Sequence, residues 1–459
     1  MWFSHMKKIA FVLLALIIIA SPELATAGNQ NSFFLGDDAA LAAGAIGAIT
    51  RDSEAIWYNP AGLGGNDRTR LSVSGTTFML RMQTVDNGVQ TTLPSGVYKQ
   101  NLSGNEYLAV PSALTFATDI NSDISIGFGV YMPQYSDFSF NNSLNKTENF
   151  TSLPGTVNFS QGFDLDTLAT EYDIGGAFGW QLAENFRVGA GLFVVYERTR
   201  FNQNLFEDIE SADGSGAVTQ FYVSNDRILV STLGTRATLG AQFDPVEDWH
   251  IGLTLFSPTF QIYSWGQYSS DHAISGVDAS GLPVTTAGRT ASTISEWEGD
   301  MVEPFHSQIS IAWEQPDLWI GLSGDIYLPL KNSGLFIDKK LTWNIAAGSK
   351  FKISEKFYGG AGFFTDNSDD KAPSSFGNSQ VNYYGITFGT EFRTPIHRES
   401  EKPIIFSTVL SGRYALGIGH VGAMICDPDK GQNITNATST PISVIFNELS
   451  LYVGTALYF

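Results

Sequence analysis

The sequence is poor in charge and in cysteine. Charged residues make up 16% of its 459 residues, against about 25% in an ordinary globular domain. The single cysteine, Cys426, excludes an internal disulfide and a cysteine-based metal cluster. The 46 acidic residues outnumber the 26 Lys and Arg, and the resulting net charge of −20 excludes the basic surface that nucleic-acid binding requires. We expect no metal, no cofactor and no nucleic-acid partner.

Long apolar runs are also absent beyond the first residues. After Gly28 no stretch approaches 18 consecutive apolar residues, which excludes a transmembrane helix. Glycine is nevertheless abundant at 46 residues, aromatics reach 13%, and the mean hydropathy is −0.02. Little charge with many aromatics and no apolar run is typical of strands that face lipid on one side and water on the other.

Residues 1–27 have the pattern of a secretory signal peptide. Lys7 and Lys8 precede the twelve apolar residues 9–20, a run too short for the roughly 20 residues of a membrane-spanning helix. The small residues Ala25 and Ala27 precede the expected cleavage before Gly28. The sequence therefore predicts an exported mature protein.

From residue 70 onward, apolar residues recur with period two, the pattern of half-buried strands. In residues 123–132, for example, Ile126 and Phe128 alternate with Gly127 and Gly129. Fourteen such segments are found: 70–79, 106–118, 123–132, 171–181, 185–200, 228–243, 248–262, 304–314, 317–327, 339–352, 356–364, 383–395, 403–416 and 447–459.

Short and long connections between these segments strictly alternate along the chain. The six short ones are 119–122, 182–184, 244–247, 315–316, 353–355 and 396–402; the seven long ones are 80–105, 133–170, 201–227, 263–303, 328–338, 365–382 and 417–446. An even strand number with short periplasmic turns and long outer loops is typical of outer-membrane barrels. The last segment ends on Phe459, as bacterial outer-membrane proteins do. We predict a 14-stranded antiparallel outer-membrane β-barrel over residues 70–459, integral to the bacterial outer membrane and monomeric.

Residues 28–69 do not alternate. Residues 37–49 are mostly small, and Asp37 and Asp38 could cap a short helix there. The stretch AIWYNPAGLGG, residues 55–65, is expected to be a turn rather than a helix, because it is rich in glycine and contains Asn59-Pro60. Such a segment is either a periplasmic appendage or a plug in the barrel lumen, and its compactness favours the plug.

The same residues resemble the N-terminal hatch of the FadL/TodX family of outer-membrane transporters for long-chain fatty acids and aromatic hydrocarbons. The resemblance rests on GDDAA at 36–40 and on DSEAIWYNPAGL at 52–63, with its hatch motif Trp57, Tyr58, Asn59, Pro60 and Ala61. It implies capture of an apolar ligand by the outer loops, an internal apolar pocket, and release through a lateral opening beside a kinked third strand when the hatch moves.

The lateral opening has candidate residues in the third segment. Gly127 and Gly129 are expected on its inward face, where glycines weaken strand pairing and permit a bend. Alternatively, these glycines only make room for the plug.

Other candidates would contact the ligand. The aromatic residues Phe138, Phe140, Phe260 and Trp265 could form the capture surface, or could be loop packing or the aromatic girdle at the lipid boundary. Arg236, on an inward face, could bind a ligand carboxylate, or could pair with inward acids such as Asp325 and Glu314.

Two other classes of function, an enzyme and a general diffusion porin, fit the sequence less well. An enzyme is not indicated, because none of the histidines lies in a nucleophile-elbow or metalloprotease motif. A general diffusion porin would share the barrel, the charge and the loops, but has no plug of about 40 residues before its first strand. The sequence therefore favours a transporter of hydrophobic small molecules.

Overall fold

The computed structural model describes residues 29, 33–65, 68–151, 153, 155–215, 219–277, 283–296, 300–332, 337–373, 379–396, 403–428 and 437–459. The predicted signal peptide, residues 1–27, lies outside the described residues.

Within these ranges the protein is almost entirely β-structure, with helix only near its beginning. The elements are α1 Asp37–Leu41, α2 Ala55–Tyr58, the 3-10 turn Pro60–Leu63, β1 Arg70–Leu93, β2 Gly96–Asp119, β3 Ile124–Tyr131, β4 Tyr135–Glu148, β5 Val157–Ala183, β6 Phe186–Ser211, β7 Thr219–Val246, β8 Trp249–Phe256, β9 Thr259–Val277, β10 Pro283–Glu296, β11 Met301–Glu303, β12 His306–Gln315, β13 Leu318–Tyr327, β14 Leu330–Asn332, β15 Ile337–Lys339, β16 Thr342–Lys352, β17 Phe357–Asp366, β18 Ser379–Pro395, β19 Ile405–Cys426 and β20 Ala437–Tyr458. In the described part of the chain, no helix has the length and hydropathy needed to cross a membrane.

The strands form one closed barrel. Eighteen strand segments belong to a single sheet, and β14 and β15 form a separate hairpin. The sheet closes on itself because β1 pairs with β2 on one side and with β20 on the other, where Arg70 lies opposite Ala117 and Tyr458 respectively. Backbone hydrogen bonds between Thr69 and Phe459 extend this closure by one residue. The all-β barrel predicted from the alternating pattern is thus confirmed.

Several consecutive segments continue one another along the barrel wall. Both β3 and β4 pair with β5, and both β8 and β9 pair with β7. Likewise β10 and β11 pair with β9, and β12 follows them onto β8. Pro133, Pro258 and Pro304 lie at three of these interruptions. Proline has no backbone N–H to donate to a ladder, so it ends regular pairing where it occurs.

The outer face of the barrel is apolar, whereas the inner face combines small and polar residues with buried aromatic ones. Along β3 the exposed Ile126 and Phe128 alternate with the buried Ser125 and Gly129, as predicted. Met132, expected on the outer face, is buried instead. The reason is that the strand ends at Tyr131, so the alternation no longer governs the residues that follow.

The predicted long loops are largely β-structure, so the prediction of loops was wrong. The segments 80–105 and 201–227 consist mostly of hairpin arms, since β1 and β2 leave only residues 94–95 between them. The strands continue beyond the predicted ends because each backbone group still needs a hydrogen-bond partner. The extension escaped the sequence pattern because its outer side is no longer uniformly apolar.

Residues 33–65, here called the N-terminal segment, lie inside the ring of strands. Side chains from separate parts of the barrel donate hydrogen bonds to its carbonyl oxygens: Gln242 to Thr50 (3.1 Å), Thr254 to Tyr58 (2.9 Å), Thr387 to Leu41 (2.9 Å) and Ser411 to Ala40 (2.8 Å). These donors come from β7, β8, β18 and β19. The N-terminal segment is thus hydrogen-bonded to four separate strands of the barrel wall.

Glycines of the barrel wall allow this close approach. A Cβ atom added to any of four inward glycines would collide with the N-terminal segment: Gly252 with Gly47, Gly321 with Ala45, Gly348 with Ala42, and Gly362 with Ala42 and Ala43. The stretch of small residues predicted to pack inside something narrow therefore lies against a wall that also lacks side chains.

Candidate functional site: a pocket beside the N-terminal segment

The stretch AIWYNPAGLGG forms two helical turns separated by one extended residue. The expectation that it would not be helical was wrong: Ala55–Tyr58 is α2 and Pro60–Leu63 is a 3-10 turn. Asn59 between them is extended, with φ −163° and ψ 101°, because a residue before proline is disfavoured in the helical region. The chain therefore reverses at Asn59.

Asn59 also links this reversal of the chain to the barrel through hydrogen bonds. Its side chain is fully buried, and its Oδ1 accepts a hydrogen bond from the N–H of Ala61 (3.2 Å). Its Nδ2 donates to the carbonyls of Gly47 (2.9 Å) and of Ala241 on β7 (3.1 Å). One amide thus joins both halves of the N-terminal segment to the wall, which explains why a hydrocarbon side chain could not replace it.

Trp57 and Tyr58 project from α2 in different directions. The Trp57 ring packs against Tyr131 of β3 and Phe193 of β6, with centroids 4.9 and 5.9 Å away. The Tyr58 hydroxyl accepts a hydrogen bond from the backbone N–H of Leu35 (3.1 Å). Trp57 therefore fits against the barrel wall, while Tyr58 holds the N-terminal segment together.

The free backbone N–H groups at the N-terminus of α1 donate hydrogen bonds to the Glu54 carboxylate. This carboxylate accepts hydrogen bonds from the backbone N–H groups of Asp37 (2.9 Å), Asp38 (3.2 Å) and Ala39 (3.3 Å). A carboxylate suits this position because the first N–H groups of a helix have no partner within it. The predicted capping by Asp37 or Asp38 is not observed, since no side chain of the helix start caps it.

Arg70, the first residue of β1, holds three acids of the N-terminal segment. Its buried guanidinium pairs with Asp37 (3.0 Å), with Glu54 (3.2 Å) and with Asp52. Burial raises the pKa of the Asp37 and Glu54 carboxyls, and for Asp37 the charge of Arg70 opposes that shift. The guanidinium therefore offsets part of the free-energy cost of burying these acids.

A cavity of about 80 Å³ lies between the N-terminal segment and the barrel wall. Its lining consists of Phe33, Phe34, Leu35, Ala43, Gly44, Trp57, Tyr58, Pro133, Glu171, Arg236, Phe256, His306, Gln308, Asp325, Tyr327, Asn344, Ile345, Ala346, Phe364 and Thr365. A cavity of about 150 Å³ holds benzene, so a ring-sized ligand needs this space to expand. The N-terminal segment forms one side of the cavity, and this side is not held in place by pairing between strands.

Three stacked rings make up part of the wall. The rings of Phe256 and His306 lie 3.9 Å apart, and those of His306 and Tyr327 lie 4.6 Å apart. The register explains the stack, because His306 on β12 is directly opposite Phe256 on β8 and Tyr327 on β13. We call these three residues the aromatic row.

The cavity reaches the barrel wall where strand pairing is interrupted. The ladder between β2 and β3 ends at Ala113 and Tyr131, followed by one hydrogen bond from Met132 N–H to the Ser112 carbonyl (2.8 Å). Pro133, which lines the cavity, comes next. Within the described residues, β4 then pairs with β5 and forms no ladder with β2. The backbone ladder of the wall is thus interrupted beside the cavity.

Gly127 and Gly129 lie in the paired part of the third strand. Gly127 is opposite Ala117 and Gly129 opposite Thr115, without a register shift. A Cβ atom on Gly127 would meet Ile56, and one on Gly129 would meet the Tyr131 ring. Their positions agree with the alternative that they make room for neighbouring side chains, whereas the interruption itself falls at Pro133.

Arg236 does not offer a free charge to a ligand. Its buried guanidinium pairs with Asp173, Glu303 (2.7 Å) and Glu171 (3.5 Å). Three carboxylates around one cation repel a fourth, so the arrangement contradicts the prediction that Arg236 binds a ligand carboxylate. Pairing with inward acids was the alternative, although the partners are neither Asp325 nor Glu314.

The predicted capture residues are not brought together. Phe140 is 2% exposed and packs in the core, whereas Phe260 and Trp265 are 43% and 39% exposed on the outer surface. Trp265 stacks with Tyr196 and Tyr263 there, as in a girdle at the lipid boundary. The side chain of Phe138 lies outside the described part of the structure.

Several site residues escaped the sequence analysis. Pro133 could have been noticed, because a proline within an alternating stretch ends the strand. His306 and Asn344 gave no local signal, since only the register of separate strands brings them together with Asp325, which was predicted to be an inward acid.

Comparison with known proteins supports the fold. No protein-family model matches the chain, and no curated protein is similar to it in sequence. Among solved structures, a Pseudomonas aeruginosa FadL homologue is 12% identical with a TM-score of 0.56, covering 93% of this chain and 98% of its own. The P. putida toluene transporter TodX is 12% identical with a TM-score of 0.52, covering 94% and 98%. The resemblance to the FadL/TodX family is thus confirmed at the level of the fold: this chain is a closed barrel of the same architecture over nearly its whole length.

Proposed function

We propose that this protein transports hydrophobic small molecules across the bacterial outer membrane. The observation that carries the proposal is the shared lining of one cavity: rings of the enclosed N-terminal segment on one side, and Pro133 at the strand interruption on another. Two solved structures of the same fold are those of a FadL homologue and of a toluene transporter. A monomer integral to the outer membrane, in contact with lipid, suits the apolar outer face.

In this proposal the barrel has fourteen membrane-spanning strands. That number follows when segments that continue one another are counted together, namely β3 with β4, β8 with β9, and β10 and β11 with β12. Residues 28–69 would serve as the hatch, after removal of residues 1–27 as a signal peptide. Of the hatch motif Trp57 to Ala61, Trp57 and Tyr58 line the cavity, and Asn59 is hydrogen-bonded to the barrel wall.

The proposed path runs from the outer hairpins to the cavity and then sideways. Exposure of an apolar ligand to water costs about 0.8 kcal/mol per CH₂ group, so a water-filled channel serves such ligands poorly. Movement of the N-terminal segment would enlarge the cavity, and the interruption between β2 and β4 would give access to lipid. Capture would involve the aromatic interior of the hairpins, where Phe140 and Phe163 are buried.

Substitution Ala346→Phe tests this path. Ala346 lines the cavity, and a phenyl ring there would fill the space that the ligand needs. We expect the uptake rate of labelled toluene or oleate to fall about tenfold or more. A ligand that passes the added ring must overpack the cavity, which costs about 1–3 kcal/mol, and each 1.4 kcal/mol added to a barrier slows the step about tenfold. The measurement is uptake by cells in which this protein is the only transporter of its kind.

The matched control is Ala347→Phe on the same strand. Ala347 alternates to the outer face, where a phenyl ring contacts lipid, so uptake should remain at the wild-type rate. Undiminished uptake by the Ala346→Phe variant would rule out this cavity as the route.

A further inference from the structure

Three polar side chains line the cavity beside the aromatic row. Asp325 on β13 lies directly opposite Gln308 on β12 and Asn344 on β16, and all three belong to the cavity lining. We call them the polar row. Along β12 and β13 they lie two residues from His306 and Tyr327, so they share the inward face with the aromatic row. One wall of the cavity therefore has an apolar strip and an adjacent polar strip.

Asn344 places an unpartnered donor in this wall. Its residue is 2% exposed, and its Oδ1 accepts hydrogen bonds from the N–H of Asn367 (2.8 Å) and the hydroxyl of Thr365 (3.3 Å). Because the backbone N–H of Asn367 can only donate, these bonds fix the amide orientation. Its Nδ2 has no hydrogen-bond partner. A buried donor without a partner is costly, which indicates that something else satisfies it.

Asp325 provides an acceptor next to that donor. Its Oδ1 accepts a hydrogen bond from Gln308 Nε2 (3.0 Å). Among the described residues, its Oδ2 has no hydrogen bond and its carboxylate has no Lys or Arg ion-pair partner. Side chains directly opposite on neighbouring strands have Cβ atoms about 4.5–5.5 Å apart. A single small polar group can therefore reach both Asp325 and Asn344.

The charge of the cavity selects against anionic ligands. Glu171 and Asp325 both line it, and its only lining guanidinium among the described residues, Arg236, is already surrounded by three carboxylates. A ligand carboxylate placed here would lie beside two acidic side chains, with no guanidinium left to pair with it. The ligand that fits is therefore neutral or cationic at its polar end.

We propose that the cavity, once enlarged by movement of the N-terminal segment, takes a neutral hydroxylated aromatic molecule, of which phenol is the simplest. Its ring packs on the aromatic row; its hydroxyl donates to Asp325 Oδ2 and accepts from Asn344 Nδ2. A hydroxyl can do both at once, whereas an ammonium group has no lone pair to accept the Asn344 hydrogen bond. This inference rests on the proposed function and narrows its ligand class.

Binding to the purified full-length mature protein in detergent tests the inference. Phenol, toluene and benzoate are titrated in turn by calorimetry. We expect phenol to bind about tenfold more tightly than toluene, since it adds two hydrogen bonds to otherwise unsatisfied groups, and benzoate to bind more weakly than both. Asp325→Leu should reduce phenol affinity to that of toluene and leave toluene affinity unchanged.

The control is Asp317→Leu, at an exposed position (73%) in the turn between β12 and β13, which should leave all three affinities as in the wild type. Barrel folding of each variant is checked by heat-modifiable mobility in electrophoresis. Equal wild-type affinities for phenol and toluene would overturn the inference and leave the transport proposal standing. Binding of none of the three molecules to folded protein would overturn both. If Asp325→Leu does not fold, the wild-type comparison alone decides.

Discussion

Deletion of residues 28–65 is expected to convert the closed barrel into an ion-conducting channel. The N-terminal segment is buried within the ring and reaches β7, β8, β18 and β19 by hydrogen bonds. The barrel closure itself does not include it, because β1 pairs with β2 and β20 directly. The shortened barrel should therefore still form, with a lumen open to water.

Single-channel recording in planar bilayers measures this outcome. The intact mature protein should show little or no steady conductance, and the deletion variant a large and steady one. A general diffusion porin would instead conduct in the intact form. A deletion variant that inserts and stays closed would contradict the hatch role of the N-terminal segment.

Substitution Arg70→Met is expected to loosen the N-terminal segment without removing it. It leaves Asp37 and Glu54 buried without the guanidinium that pairs with both. Removing one partner of a buried ion pair costs about 3–5 kcal/mol, and here that cost falls on the contact between segment and barrel. The segment should become sensitive to protease, and brief conductance openings should appear in bilayer recordings.

Arg70→Lys is the matched control. It keeps the positive charge but loses the planar fork that reaches several acids at once, so its protease sensitivity should lie between those of the wild type and the methionine variant. Protection of the segment in Arg70→Met equal to that in the wild type would show that these ion pairs do not hold it.

The barrel was predictable from the sequence because the alternating pattern that indicates it lies within each strand. Each strand exposes every second residue to one environment, so Ile126, Phe128, Leu449 and Leu451 signal an outer face without knowledge of their neighbours. The enclosed N-terminal segment was also indicated, because small residues and an Asn-Pro reversal before the first strand are local features. Strand ends were not predictable, since the outer side of the hairpin arms is no longer uniformly apolar beyond the apolar band.

The chemistry of the cavity was not predictable, because the pairing register of the strands decides which side chains meet there. Arg236 and its partners Asp173 and Glu303 lie more than 60 residues apart along the chain, and nothing in the local sequence relates them. The same holds for Asp325 and Asn344, which become neighbours only through the pairing of β13 with β16. A single side chain on an inward face therefore predicts its burial but not its partners.

The glycine-lined part of the wall has a mechanical consequence for the proposed hatch. At Gly252, Gly321, Gly348 and Gly362 the strands place no side chain between their backbone and the small residues of the N-terminal segment. Displacement of the segment past these four positions therefore requires no change of rotamer there. The resistance to movement comes from other contacts, namely the packing of Trp57 on Tyr131 and Phe193 and the polar contacts of Asn59 and Arg70. A few specific contacts, rather than the glycine-lined surface, thus hold the segment in place.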